Sequence, residues 1–197
     1  MKHYNIPVFI PELACPNRCI YCNQRHISGQ LQAVKPEEIE QIIEQHLSTF
    51  IRPSCVELAF FGGSFTGIDE KYMITYLKIV QPYIEKGEIK SIRISTRPDY
   101  INEKILDILK QYNVRDIELG AQSLNEEVLA FAKRGHTVKD VENASRLIKD
   151  YGFSLGLQMM IGLPLDSVER SKATAEKIIE LGAESTRIYP TLVINNT

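Results

Sequence analysis

Cys15, Cys19 and Cys22 stand in the run CPNRCIYC, spaced C-x3-C-x2-C. Thiolate sulfur is a metal ligand, and three in one short loop converge more readily on an ion or cluster than on disulfide partners. A secreted disulfide framework spreads its cysteines; here three of four cluster and Cys55 stands apart. The residue types leave two metal chemistries open. His26 follows Cys22 by four, so Cys15, Cys19, Cys22 and His26 suit a tetrahedral zinc. Three thiolates equally suit an iron–sulfur cubane whose fourth iron stays open to a small molecule. A second run, AFFGGSF at 59–65, closes an apolar stretch with Gly62 and Gly63, where a backbone can turn tightly or approach a ligand without a Cβ in the way. Cys55 reads as a small buried apolar side chain.

The elements that must position these residues alternate. Apolar runs at 6–10, 56–61, 91–96, 115–121, 153–161 and 186–194 read as six strands of a parallel sheet, buried on both faces. Helical periods lie between them. Pro36, Glu37 and Glu38 open a helix with Ile39, Ile42, Ile43, Leu47 and Phe50 on one face. Asp69 caps a second, whose inner face takes Tyr72, Met73, Tyr76, Leu77 and Val80. Asn102 opens a third, a short turn falls near 125–132, Thr137 and Asp140 form a capping box with Gly152 as the stop, and the last helix runs from Ser167 to Leu181. Strand and helix in alternation predict an α/β fold, either a doubly wound sheet or part of a (β/α) barrel, with ligands at the carboxyl ends of the strands.

The cysteine spacing, with the aromatic Tyr21 before the last cysteine, resembles the signature of radical S-adenosylmethionine enzymes. That resemblance implies a partial (β/α)6 barrel. It also implies a [4Fe-4S] cluster on Cys15, Cys19 and Cys22, with S-adenosylmethionine chelated at the free iron and cleaved to a 5′-deoxyadenosyl radical. An external one-electron reductant is then a required partner. Carried over position by position, the resemblance places Gly62, Gly63 and Ser64 at the methionine amino group, with Ser64 where relatives have an acidic residue. Ser95 falls at a polar ligand contact, Gln122 at the ribose or methionine end, and Arg134 at the methionine carboxylate. Gln158 falls at a ribose hydroxyl, Met160 against adenine, and Pro190 over its other face. His136 receives no role.

The runs GGSFTGI, STRPDYI, RGHT and MMIGLP look most like the radical domain shared by the Elongator catalytic subunit and oxygen-independent coproporphyrinogen oxidases. The implied reaction is hydrogen abstraction from an unidentified substrate. Two alternatives stay open: a transfer RNA-modifying enzyme of the Elongator type, and a non-catalytic α/β module with a structural Cys3His zinc. Arg18, Arg25, Arg97 and Arg134 would form a basic patch for RNA if they converge at the barrel mouth. At 44% hydrophobic and 24% charged residues the chain has the composition of an ordinary globular protein, and its net charge of -2 gives no broad basic field. No apolar run spans a membrane and no signal peptide is recognisable, so the expected compartment is the cytoplasm. The whole of 1–197 reads as one radical core domain, and a sixth strand with no helix after it predicts a further C-terminal region.

Overall fold

A computed structural model describes residues 2–11, 19–22 and 34–192. The elements run β1 (Lys2–Ile10), α1 (Pro36–Thr49), β2 (Ser54–Gly62), α2 (Glu70–Glu85), β3 (Ser91–Thr96), α3 (Glu103–Gln111), β4 (Val114–Gln122), α4 (Glu126–Phe131), α5 (Val138–Asp150), β5 (Ser154–Ile161), α6 (Val168–Glu180) and β6 (Ser185–Pro190). Helix starts follow the expected chemistry. Asp69 accepts from the Lys71 N–H at 2.9 Å, and Asn102 from that of Ile105 at 3.0 Å. Thr137 and Asp140 cap each other's backbone, and Ser167 accepts from the Arg170 N–H.

All six strands are parallel and lie in the order β1-β2-β3-β4-β5-β6. An order with no reversal excludes the doubly wound alternative. Right-handed crossovers that always step the same way lay every helix on one face, and the sheet curls into a half-barrel. The convex face is the apolar core: Ile6, Val8, Leu58, Phe60, Ile94 and Leu157 are fully buried there against helix residues such as Ile39, Met73 and Leu106. Each such side chain contributes about 1.5–3 kcal/mol on burial. Tyr72, placed on this face by the sequence, is instead exposed, because Met73, Tyr76, Leu77 and Val80 complete the buried stripe of α2 without it.

The strands are not apolar on both faces. With no helix across it among the described residues, the concave face carries charge. Glu57 on β2 meets His3 at 3.4 Å and Arg93 at 3.5 Å, and Arg93 reaches Asp116 at 3.9 Å. Glu118 on β4 meets Arg187 on β6 at 3.1 Å and accepts a hydrogen bond from Gln158 on β5. Gly156 makes room for this pair: a Cβ there would lie 3.2 Å from the Glu118 side chain. The alternation apolar-out, polar-in is the period-two consequence of a sheet covered on one side.

Candidate functional site

The carboxyl ends of β2 to β5 and the cysteine turn that follows β1 meet around one cavity, and the glycine pair explains how closely. Gly62 has φ +106°, and a Cβ on it would lie 2.8 Å from the Ile10 carbonyl. The Gly63 N–H donates to that same carbonyl at 2.7 Å, and a Cβ on Gly63 would meet the Pro11 carbonyl at 2.8 Å. Only glycine lets the exit of β2 press against the point where the cysteine-bearing loop leaves β1. Cys19 and Cys22 form one turn of that loop, closed by a 3.0 Å bond from the Cys22 N–H to the Cys19 carbonyl. Cys15, His26, Arg18 and Arg25 lie outside the described residues.

β4 ends irregularly. Its register against β5 slips between Gly120 and Gln122, and Gln122 adopts φ +67°. Such bulges re-aim a side chain, here into the cavity. The loop after α4 holds the bulge through two side chains. Arg134 Nη2 donates to the Gly120 carbonyl at 2.8 Å, and His136 Nε2 donates to the next carbonyl, that of Ala121, at 3.2 Å. Burial, with Arg134 and Arg97 nearby, pulls the His136 pKa down to about 4, so the ring is neutral with its proton on Nε2. His136 therefore has a structural task that its neighbours in sequence do not announce.

Arg134 is 7% exposed. Its Nη1 stands 3.7 Å from Cys19 Sγ, so the β4 clamp also reaches the cysteine turn. The Ile20 N–H bonds the Ala132 carbonyl at 3.2 Å and ties the same two loops through backbone. Gly120 is what makes room: a Cβ on it would lie 2.8 Å from both Arg134 Nη2 and Gln122 Nε2. Gln122 Oε1 and Arg134 Nε are buried without a hydrogen-bond partner, which is spare polar capacity in the cavity wall.

Across the cavity, Thr96 and Thr66 share a 2.7 Å hydroxyl bond that holds the exit of β3 to the turn after Ser64. Arg97, 1% exposed, is gripped by Asp99 through two 2.9 Å bonds. Tyr21 lies half-buried beside Cys19 with its hydroxyl enclosed, and that desolvation holds its phenol protonated, well above the usual range.

The cavity is lined by Cys19, Tyr21, Cys22, Gly62, Gly63, Ser64, Ser95, Thr96, Arg97, Gly120, Gln122, Arg134 and Gln158. Seven of the nine positions to which the sequence gives a cofactor contact thus converge, together with Tyr21 of the cysteine signature. Met160 sits beyond it, on the same concave face as Gln158 by strand alternation and opposite Tyr189. Pro190 is not brought there: with Ile161 and Ile188 it lines a separate groove against α6, on the other face of β6. Thr96, Arg97 and Gly120 are additions that the sequence did not mark as cavity residues. Gly120 had a signal, a glycine inside a strand pattern. The expected basic patch is not a surface: Arg97 and Arg134 are both buried.

Two guanidinium groups and no carboxylate line the cavity among the described residues, which favours an anionic group there. Its enclosed volume is about 160 Å3, below the few hundred of a whole-ligand pocket, so a nucleoside-sized ligand would extend along the open concave face past Gln158.

A parallel half-barrel with cysteines, glycines and arginines gathered at its carboxyl rim defines a class, the barrels that hold a ligand at that rim. The family model of the radical SAM superfamily matches residues 10–188, and the chain belongs to that superfamily. It is 31% identical to the tRNA uridine(34) acetyltransferase of Methanocaldococcus infernus, over 72% of this chain and 30% of the relative. It is 27% identical to the protein of that name from Dehalococcoides mccartyi, over 98% of this chain and 49% of the relative, and 33% identical to Elongator complex protein 3 of Schizosaccharomyces pombe over 72% and 30%. Among solved structures, the Methanocaldococcus infernus Elp3 with an N-terminal deletion superposes with a TM-score of 0.74 at 24% identity, covering 99% of this chain and 47% of that one. The Escherichia coli coproporphyrinogen III oxidase superposes with 0.71 at 21%, covering 98% and 44%. These two likenesses show the fold. The chain spans half or less of the length of these relatives.

Proposed function

We propose that residues 1–197 form the radical-generating core of an S-adenosylmethionine-dependent enzyme. The observation that carries the reading is the meeting of Cys19, Cys22, Gln122 and Arg134 in one cavity, where the bare α-carbon of Gly120 makes room for Arg134 and Gln122. The residues present fit the groups the family implies. Two thiols share one turn with a third four residues before Cys19, and buried polar atoms without partners line a cavity that has no carboxylate among its described residues.

Cys15, Cys19 and Cys22 would hold a [4Fe-4S] cluster at three corners, with Tyr21 packed beside them. With an external electron donor, the cluster and S-adenosylmethionine supply when bound a 5′-deoxyadenosyl radical that takes a hydrogen atom from the substrate. The chain's own residues bind and orient. The carbonyls of Gly62 and Gly63 and the Ser64 hydroxyl accept from an ammonium group, and Ser95 adds a further polar contact. Arg134 and Gln122 offer hydrogen bonds to a carboxylate and its neighbouring hydroxyls. Gln158 serves a ribose, and Met160 lies along the face where an adenine would extend. Pro190 serves no adenine contact in this reading; Tyr189 is the ring of β6 that shares Met160's face.

For the substrate, identity to tRNA uridine(34) acetyltransferases supports a uridine base of transfer RNA, presented at the open concave face. The grip on phosphates then falls to groups other than Arg97 and Arg134. Anaerobic reconstitution tests the core reading. We expect about four irons per chain, and 5′-deoxyadenosine only when cofactor and reductant are both present. One tightly held zinc and no iron would establish the structural alternative. Mass spectrometry of transfer RNA nucleosides after turnover tests the substrate.

A further inference from the structure

Arg134 is a buried cation with no carboxylate beside it among the described residues. Its Nη2 is held by the Gly120 carbonyl at 2.8 Å, and its Nη1 points at Cys19 Sγ at 3.7 Å, within hydrogen-bond range for the larger sulfur atom. Among the described residues it takes part in no ion pair with Asp or Glu. A guanidinium that is 7% exposed requires a nearby anion, since desolvating an unpaired charge is costly. Among the described residues the Cys19 sulfur is the acceptor that its Nη1 meets, and as a cluster ligand that sulfur would be a thiolate. The approach is held rather than incidental: the Ile20-to-Ala132 bond joins the cysteine turn to the Arg134 loop, and the Arg134 N–H is itself bound by the Leu129 carbonyl at 3.0 Å.

We infer that Arg134 donates a charge-assisted hydrogen bond to the sulfur of Cys19 and thereby sets the reduction potential of the cluster that Cys19 ligates. The inference rests on the reading of Cys15, Cys19 and Cys22 as cluster ligands. Its physics is simple. The reduced cluster carries one more negative charge than the oxidised one. A fixed cation hydrogen-bonded to a ligand sulfur stabilises the reduced form and raises the potential. The electron comes from the external reductant and no bond to Arg134 forms or breaks. The fork of Arg134 can hold Cys19 on one arm while its Nε, buried and without a partner, faces other duties. The same residue thus joins the ligand-binding wall to the electron-accepting group.

The test is an EPR-monitored redox titration of reconstituted wild type, Arg134→Gln and Arg134→Lys, without S-adenosylmethionine. Removing the charge should lower the midpoint by at least a tenfold change in the oxidised-to-reduced ratio at fixed potential, about 59 mV for one electron. Lysine, a point charge without the fork, should fall between. Resonance Raman of wild type in H2O and D2O supplies a second measurement that needs no variant: the Fe–thiolate stretches should shift if an N–H···S bond is present. Equal midpoints in the variants overturn the inference and leave the cluster reading intact. Should Arg134→Gln fail to hold its cluster, the absence of a deuterium shift in wild type overturns it. Wild type that binds zinc and no iron instead removes the reading beneath it.

Discussion

The Gly63 amide and the Ile10 carbonyl meet at 2.7 Å, so the exits of β2 and β1 are locked where the cysteine loop begins. A side chain on Gly63 would sit 2.8 Å from the Pro11 carbonyl and 3.1 Å from that of Ile10. Both neighbours are backbone and cannot swing away. Gly63→Ala should therefore destabilise the fold by about 1–3 kcal/mol, as overpacking does, and should also lower iron retention by displacing the loop. Urea unfolding and iron per chain are the two measurements. Unchanged values in both would show that the loop does not depend on this contact.

Gly120→Ala should behave differently. Its added methyl meets only the tips of Arg134 and Gln122, which are the far ends of long side chains. They can rotate aside where the backbone at Gly63 cannot, but Arg134 then gives up its bond to the Gly120 carbonyl, so stability should fall by about 1–2 kcal/mol. Rotation empties the positions that define the cavity wall, and S-adenosylmethionine affinity should fall at least tenfold. Comparing the urea midpoint with the dissociation constant separates the two effects. A variant that binds as wild type does would mean that neither Arg134 Nη2 nor Gln122 Nε2 contacts the ligand.

How much of this was readable in advance depends on range. The cysteine spacing, the glycine pair and the helix caps are local, and local chemistry decided them: Asp69, Asn102, Thr137 and Ser167 all cap as their side chains suggest. The two-faced sheet was written in Glu57, Arg93, Asp116 and Glu118, charges set inside the apolar runs, but which face they take depends on all helices packing on one side. Pro190 shows the sharper limit. Neighbouring residues of a strand point to opposite faces, so a shift of one residue separates Tyr189 on the concave face from Pro190 in the α6 groove. Arg97 reads as a surface cation until Asp99 and the β3 exit enclose it. Gly120 and His136 act on atoms far away in sequence or on backbone carbonyls, which leave no trace in residue type.

Asp99→Asn should report on that enclosure. Arg97 is 1% exposed, whereas Asp99 is about a quarter exposed, so the pair is buried at one end only. Neutralising Asp99 weakens the two bonds that fix the guanidinium on the cavity wall. We expect a loss of about 1–3 kcal/mol, below the full cost of stranding a buried ion because water reaches the carboxylate end. Thermal or urea denaturation at neutral pH measures it. Stability equal to wild type would mean that the bidentate bond is matched by solvation of the separated groups.

His136 supplies the pH dependence. Its pKa falls from the ordinary 6.5 to about 4 in the folded protein, through burial first and then Arg134 and Arg97. The unfolded chain therefore binds the proton more readily, and stability falls as pH drops from about 6.5 toward 4, by roughly 3 kcal/mol in total at that shift. Asp140, held below its ordinary value by the Thr137 backbone and hydroxyl, costs stability only on further acidification below the normal Asp range. The two windows are separable. His136→Gln, which can still donate to the Ala121 carbonyl, should flatten the loss between pH 6.5 and 4 and leave the lower limb unchanged. His136→Ala should flatten the same limb but start from a lower plateau at neutral pH, because the Ala121 carbonyl loses its donor and the Gln122 bulge its clamp. Urea midpoints at pH 7, 5.5 and 4.5 decide the matter. An acid limb of wild-type steepness in both variants would place the titrating group elsewhere.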